Sequence, residues 1–132
     1  MATLRRTKRS SQIGYPRRGE IYLTALDPAL GREIQKTRLA LVIQNDVSNQ
    51  WSEITIVAPI TSTVRFPVSP VHVLLAAGLE TGLNVTSVAL FNQIRAVDRH
   101  RLIKRLGALD ERTLRMVDHA IQISLGLVPN LH

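Results

Sequence analysis

The feature that most constrains this chain is a succession of short apolar segments separated by turn-forming residues. Each segment is rich in strand-forming side chains, and Asp-Pro, Gly, Pro or a polar connection stands between one segment and the next. Closely spaced strands of this kind favour a compact antiparallel barrel in a single domain. The predicted strands cover residues 20–26, 38–44, 54–60, 71–75 and 86–97.

The period of the apolar residues changes after Asp110. Asp110 is a suitable helix N-cap, and Gly126 and Pro129 supply the stop signals. Spacings of three and four residues place four apolar side chains on one helical face, which should cover the barrel. This face consists of Leu114, Val117, Ile121 and Leu125.

A second apolar stripe lies about 130° around the same helix, at 100° per residue. It consists of Met116, Ala120, Ile123 and Leu127. One helix has one barrel to cover, so the second stripe indicates another partner, most simply a second copy in a symmetric dimer. The alternative is that Met116 and Ala120 lie under the 98–109 segment.

The net charge of +7 is concentrated near the start of the chain. Residues 1–18 hold six basic residues and no acidic one, whereas residues 19–132 hold 11 basic and 10 acidic residues. We predict a disordered basic arm over 1–18, without the apolar core of a secretory signal, and a single domain over 19–132. The arm serves either solubility or attraction of phosphates.

Several classes of site and location are not expected. The chain has no cysteine, and its four histidines lack the short paired spacings of a zinc site. No apolar run approaches the roughly 18 residues of a membrane span. We therefore expect no metal, no cofactor and no membrane partner.

Polar side chains gather at the ends of the predicted strands, although their spacing alone does not define a reaction. In a small barrel such ends can converge on one face. The group comprises Glu33, Lys36, Arg38, Thr61, Ser62, Asn92, Gln93 and Arg95.

Three motifs resemble the MazF/PemK family of toxin endoribonucleases from bacterial toxin-antitoxin pairs. They are "TRLALVIQND", "VAPITS" and "SVALFNQIRAVD", in family order, and the resemblance extends from Arg18 to about Leu127. It implies a small antiparallel SH3-like barrel with a C-terminal helix, acting as a homodimer in the bacterial cytoplasm. It also implies metal-independent cleavage of single-stranded RNA and neutralisation by a cognate antitoxin.

The resemblance places the family's catalytic arginine on Arg38 and its catalytic threonine on Thr61. Attack by a 2′-hydroxyl on its own phosphodiester needs stabilisation of the phosphorane charge and two proton transfers. A guanidinium stays charged and bonds two phosphate oxygens at once, and a threonine hydroxyl donates one further hydrogen bond. Proton transfer is assigned to Glu33 or to Arg38 itself.

Substrate contacts are implied for five further residues. Glu33 matches a family glutamate, and Asn92 and Gln93 match the acid-plus-glutamine pair of the fifth strand. Arg32 and Ser62 lie beside matched positions. The full set is Arg32, Glu33, Ser62, Asn92 and Gln93.

Three departures from the family pattern leave other functions open. Leu39 replaces a proline, Arg32 a serine, and Asn92 an acidic residue on which some members rely. A CcdB-like toxin that binds DNA gyrase on the same fold is the main alternative, although such a protein has no need of the Arg38 and Thr61 pair. An RNA-binding relic without activity is the third.

Overall fold

The structure, a computed structural model, describes residues 14–26 and 37–129. Seven strands occur in this part: β1 Glu20–Ala25, β2 Thr37–Val42, β3 Ile54–Thr61, β4 His72–Leu75, β5 Ser87–Leu90, β6 Arg95–Asp98 and β7 Leu102–Ala108. Two α-helices accompany them, α1 Asp46–Trp51 and α2 Glu111–Ser124, and a single 3₁₀ turn spans Arg99–Arg101. Within these residues, no helix is long and apolar enough to cross a membrane.

All strand pairings are antiparallel, and they form one sheet in the order β4-β5-β3-β2-β1-β7. Two different strands pair with the long strand β3: β6 with its first half and β5 with its last two residues. The predicted fold class is confirmed: a mainly antiparallel β domain with one long C-terminal helix.

The prediction of one strand over 86–97 is wrong, because this segment forms β5 and β6 with a turn between them. The N–H of Phe91 donates to the carbonyl of Val71, and the N–H of Gln93 donates back to Leu90. Both halves are apolar enough to be buried, so composition alone does not reveal the break. The turn lets the chain leave one end of β3 and rejoin it at the other.

Two apolar clusters lie on opposite sides of the sheet. The larger one contains Ile21, Leu41, Ile60 and Phe91 and is covered by α2. The smaller one lies between the curled strands β1, β2, β3 and β6, and consists of Leu26, Ala40, Val42, Val57 and Val97. Alternate residues of β2 therefore face different clusters, which explains why the run after Arg38 is apolar without interruption.

Helix α2 begins and ends as predicted, but its two predicted apolar stripes are only partly confirmed. Asp110 is the N-cap, and its carboxylate accepts a 2.8 Å hydrogen bond from the N–H of Thr113. That hydrogen bond lowers the pKa of Asp110. Leu114, Val117 and Ile121 pack on the larger cluster, which confirms most of the first face.

Two residues of the predicted stripes behave differently from expectation. Leu125 is 59% exposed, because it caps the helix and lies beyond the sheet. Ala120 is only 3% exposed and belongs to the larger cluster, so it is not part of a free stripe. Met116 and Leu127 remain 51% and 69% exposed.

Arg18 joins three separate parts of the domain. Its N–H donates to Asp46, its Nε to the carbonyl of Ile43, and its Nη2 to Asp118 on α2 at 2.7 Å. The last residue of the expected basic arm is therefore packed against both helices. Residues 1–13 lie outside the described part of the chain, and the arm stays a prediction.

The expected polar connection after β2 contains the short helix α1, organised around Asn49. Asn45 caps this helix by accepting from the N–H of Ser48. Asn49 is 1% exposed. Its Oδ1 accepts from Gln44 Nε2 at 2.9 Å and Thr55 Oγ1 at 2.7 Å, and its Nδ2 donates to the Gln44 carbonyl at 2.9 Å.

We expect Asn49→Ala to destabilise the domain by about 2–4 kcal/mol, because buried Thr55 and half-buried Gln44 would each lose a hydrogen bond. Urea unfolding should show a lower midpoint with an unchanged slope. Val47→Ala, on the exposed side of the same helix, is the matched control and should change stability by less than about 0.5 kcal/mol. Equal midpoints for the two variants would contradict this role of Asn49.

Candidate functional site

Arg38 and Thr61 lie opposite each other at one end of the sheet. In the β2–β3 ladder Leu39 pairs with Ile60 and Ala40 with Pro59. One further step in this register places Arg38 across from Thr61. Residues directly opposite in an antiparallel pair project from the same face, with Cβ atoms roughly 5 Å apart.

Both side chains line a groove of about 480 Å³. Its floor and one wall come from the ends of β1, β2 and β3, including Leu23, Leu39 and Ile60. Ser62 and Thr63 continue this wall beyond β3. The opposite wall consists of Leu83, Asn84, Val85 and Ser87. The sequence-predicted residues Arg38, Thr61 and Ser62 are thus brought together in a single cleft.

The hydroxyl of Thr61 is oriented by its neighbour in the chain. Its oxygen accepts a 3.2 Å hydrogen bond from the N–H of Thr63. Because that bond uses a lone pair and not the hydroxyl hydrogen, Thr61 retains its donor. The side chain is half-buried and lines the groove.

Arg38 lies between two threonines on the neighbouring strands. Thr24 of β1 is its register partner on one side, and Thr61 is opposite it on the other. Thr24 is fully buried, with its hydroxyl donating to the carbonyl of Tyr22 at 3.1 Å. The Arg38 side chain is itself exposed. The backbone under this cation is therefore fixed by two strand ladders, while its guanidinium is accessible.

Asn92 and Gln93 lie away from this groove within one chain. Val88 pairs with Thr61, β5 runs from there away from the groove to Leu90, and Asn92 lies in the turn that follows. Its Oδ1 is 3.3 Å from Nε2 of His72 on the neighbouring strand. The expected convergence of all the strand-end residues does not occur in a single subunit.

Arg32 and Glu33 lie outside the described residues. Both belong to the connection between β1 and β2, which leaves the sheet after Leu26 and rejoins it at Thr37, the residue before Arg38. Their assignment as substrate contacts stays a prediction.

The part of the groove that the structure describes contains no carboxylate and no imidazole. The strongest shift of an ionisable group lies elsewhere, at Tyr22, where burial and then the charge of Glu20 raise the pKa of the phenol. The Tyr22 hydroxyl donates to Glu20 at 2.9 Å, and Glu20 is also paired with Arg105 at 2.7 Å. This network stabilises the β1–β7 pair and does not line the groove.

Sequence reasoning missed the second wall of the groove. Asn84, Val85 and Ser87 line the same groove as Arg38, because β5 pairs with the last residues of β3. No local motif marks them, since the segment before β5 resembles an ordinary glycine-containing turn. Only the strand order places this segment beside the groove.

Comparison with known proteins gives matches over most of the chain. The chain is 40% identical over 112 residues to the endoribonuclease EndoA of Bacillus subtilis, covering 85% of this chain and 96% of that protein. It is also 40% identical over 111 residues to the endoribonuclease MazF of Staphylococcus saprophyticus, covering 84% and 92%.

A solved structure of MazE–MazF from Deinococcus radiodurans superimposes with a TM-score of 0.69 at 25% sequence identity, covering 86% of this chain and 98% of that chain. These matches give no support to the gyrase-binding alternative. The profile of the PemK-like, MazF-like toxins of type II toxin-antitoxin systems matches residues 17–125. With that match and two 40% identical relatives, the chain belongs to the PemK-like, MazF-like toxin family.

Proposed function

We propose that this protein is a toxin endoribonuclease that cleaves single-stranded RNA by internal attack of a 2′-hydroxyl. The observation that carries the proposal is the placement of Arg38 opposite Thr61 in one groove. Both relatives that are 40% identical are endoribonucleases, which supports the same activity here. The products would be a 2′,3′-cyclic phosphate and a 5′-hydroxyl.

Arg38 would bind the scissile phosphate. Its planar guanidinium donates two parallel hydrogen bonds to non-bridging oxygens and stabilises the negative charge that develops as the 2′-oxygen attacks. The Arg38 side chain is exposed where it lines the groove, so an RNA strand can reach it. Its backbone is held by β1 and β3, so the charge stands near one fixed point.

Thr61 would fix the orientation of the same phosphate. Its oxygen is already bonded to the N–H of Thr63, so the hydroxyl hydrogen is directed toward another acceptor. A single donor at this position selects one non-bridging oxygen and aligns the 2′-oxygen with the departing 5′-oxygen. Ser62, exposed in the same groove, would contact the adjacent nucleotide.

Two proton transfers complete the reaction. The 2′-hydroxyl loses a proton as its oxygen bonds to phosphorus, and the 5′-oxygen gains a proton as the P–O5′ bond breaks. The described part of the groove offers no carboxylate or imidazole for either step. Glu33, in the β1–β2 connection next to Arg38 in the chain, or Arg38 itself would transfer these protons.

Asn92 and Gln93 would act on RNA only if a second subunit brings them beside the groove. A homodimer, formed through the exposed apolar residues of α2, is the arrangement that we propose. Met116 lies in a shallow groove between β4 and α2, together with Val73 and Ala120. Leu125 and Leu127 extend the exposed apolar surface beyond the helix end.

At micromolar concentration, light scattering should give a mass of about twice the 14.7 kDa of one chain. Met116→Lys should shift the protein toward a monomer, because an ammonium would be buried in the interface beside Arg112 and Arg115 of the same groove. Ile103→Lys changes a similarly exposed apolar residue on β7 and serves as the control. A wild-type monomer that cleaves RNA would contradict the dimer.

The partner proteins and location follow from the family. Type II toxins are paired with antitoxins, so we propose a cognate antitoxin as the inhibitor of this protein and the bacterial cytoplasm as its location. The MazE–MazF structure from Deinococcus radiodurans supports a protein complex of this kind.

The activity is tested with purified protein and a long single-stranded RNA in the presence of EDTA. We expect cleavage at a restricted set of sequences, with a 2′,3′-cyclic phosphate on one fragment and a 5′-hydroxyl on the other. End mapping by primer extension and by selective ligation of the two kinds of ends distinguishes these products. Loss of cleavage in EDTA, or the appearance of 5′-phosphates, would contradict the mechanism.

A further inference from the structure

A concentration of positive charge lies outside the groove, on β6, the 3₁₀ turn and the start of β7. Residues 95–105 carry five of the 17 lysines and arginines of the chain and a single acidic residue, Asp98. The carboxylate of Asp98 is engaged locally, since Oδ1 accepts from the backbone N–H of His100 and lies 2.8 Å from its Nδ1. Arg105 is paired with Glu20 of β1, so the excess of positive charge on this surface belongs to Arg95, Arg99, Arg101 and Lys104.

Three arginines of this surface are held by backbone carbonyls. Each uses Nη1: Arg95 donates to Leu26 at 3.3 Å, Arg101 to Ala25 at 3.4 Å, and Arg99 to Asn49 at 3.4 Å and Ser52 at 3.2 Å. A carbonyl orients a guanidinium without cancelling its charge, and further N–H donors remain on each group. We call Arg95, Arg99 and Arg101 the arginine band.

The arginine band is continuous with the groove. Thr24 of β1 pairs with Arg38 on one side and with Leu102 of β7 on the other. Arg101 immediately precedes Leu102, so it lies two strand spacings from the strand of Arg38, or about 10 Å. A single strand of RNA that leaves the groove over the end of β1 would meet the band within a few nucleotides.

Trp51, the only tryptophan in the chain, marks the far end of the band. It is the last residue of α1 and is 80% exposed, although large aromatic side chains are usually well buried. Arg99 bonds to carbonyls on both sides of it in the chain, those of Asn49 and Ser52. Proteins that bind single strands combine such cations with aromatic faces on which bases stack.

We propose that the arginine band and Trp51 bind the part of the RNA substrate that flanks the scissile phosphate. The arginines contact successive phosphates, and Trp51 stacks on a base. This proposal rests on the proposed function of the groove, and it adds a binding surface that contributes affinity and not chemistry. Long RNA is consequently bound and cleaved better than an oligonucleotide that fills the groove alone.

Trp51 reports directly on this binding, because no other tryptophan contributes to the fluorescence. Fully 2′-O-methylated oligonucleotides of increasing length are the probe, since they lack the attacking hydroxyl and stay intact. We expect little quenching with the shortest oligonucleotides and strong quenching once the length exceeds that of the groove. Quenching should weaken with salt, as counterion release requires.

Two variants and two matched controls test the role of the surface in cleavage. Trp51→Ala should lower kcat/KM on a long RNA by about tenfold, the effect of one lost base stack. Arg101→Gln should reduce the slope of log affinity against log salt by about 0.7. Leu79→Ala and Arg65→Gln change an exposed apolar residue and an exposed arginine elsewhere, and both should behave as wild type.

The outcomes separate the band from the groove. If wild-type protein cleaves long RNA and the two band variants match their controls, the band proposal is wrong and the proposed function stands. If no RNA is cleaved but long oligonucleotides still quench Trp51 and the band variants bind them more weakly, the proposed function is wrong and the band proposal stands. Quenching of Trp51 by an antitoxin and not by oligonucleotides would assign this surface to a protein partner and overturn the proposal.

Discussion

An RNA that carries a single deoxynucleotide immediately 5′ of the cut bond should resist cleavage by this protein. The substitution removes the oxygen that attacks phosphorus and leaves the other contacts nearly intact. The described part of the groove offers a cation and hydroxyl groups but no carboxylate or imidazole. The tethered 2′-hydroxyl, with its high effective concentration, is therefore the nucleophile that this arrangement favours.

The expected loss is complete within the sensitivity of a gel assay. The control is the same RNA with its deoxynucleotide moved one position to the 3′ side, which should be cleaved at close to the normal rate. The modified RNA should still compete with unmodified RNA for the enzyme. Cleavage of the first substrate at a comparable rate would mean that water or a side chain is the nucleophile, and the roles given to Arg38 and Thr61 would be wrong.

Arg38→Ala should lower kcat by about 10²-fold or more, by analogy with the loss of one oxyanion donor. The side chain is exposed near the start of β2, so its removal should leave the strand ladders unchanged. Arg38→Lys keeps the charge but loses the fork that bonds two oxygens, and we expect it to recover only part of the activity. Single-turnover kinetics on a mapped substrate measures these effects apart from product release.

Thr61→Val tests the second contact of the same phosphate with little change of shape. We expect a smaller loss than for Arg38→Ala, since one neutral hydrogen bond is removed. Arg65→Ala, an exposed arginine in the connection between β3 and β4, is the control for a general loss of positive charge. Circular dichroism should show that each variant is folded. Near wild-type turnover in folded Arg38→Ala would contradict the phosphate clamp.

Much of the fold follows from the sequence because its signals are local. Alternation over 20–26 and 54–60, and a capped helix after Asp110, each depend on neighbouring residues only. The division of 86–97 into two strands depends instead on which half of β3 each part joins. Apolar composition is the same for one long strand and for two short ones, so this break was not predictable.

The candidate site likewise depends on strand pairing, which local sequence signals do not specify. Arg38 and Thr61 are recognisable only through motifs shared with a family, since a strand-end arginine and a threonine have no chemistry of their own. Their meeting depends on the register of β2 with β3, which no local pattern specifies. Asn84 and Val85 enter the groove through strand order alone. Placing Asn92 and Gln93 at the groove requires a second subunit, which a single chain does not provide.

The strand pairing that holds the backbone of Arg38 allows the rate of bond cleavage and the preferred RNA sequence to change independently. The position of this residue is determined by its register partners on β1 and β3, whereas Arg32 and Glu33 belong to the connection that joins β1 to β2. We therefore expect a change within that connection to leave the pairing of Arg38 with Thr24 in place. Replacing residues 27–36 by the equivalent segment of a relative, with Glu33 kept, should exchange the preferred RNA sequence while the rate of bond cleavage is retained.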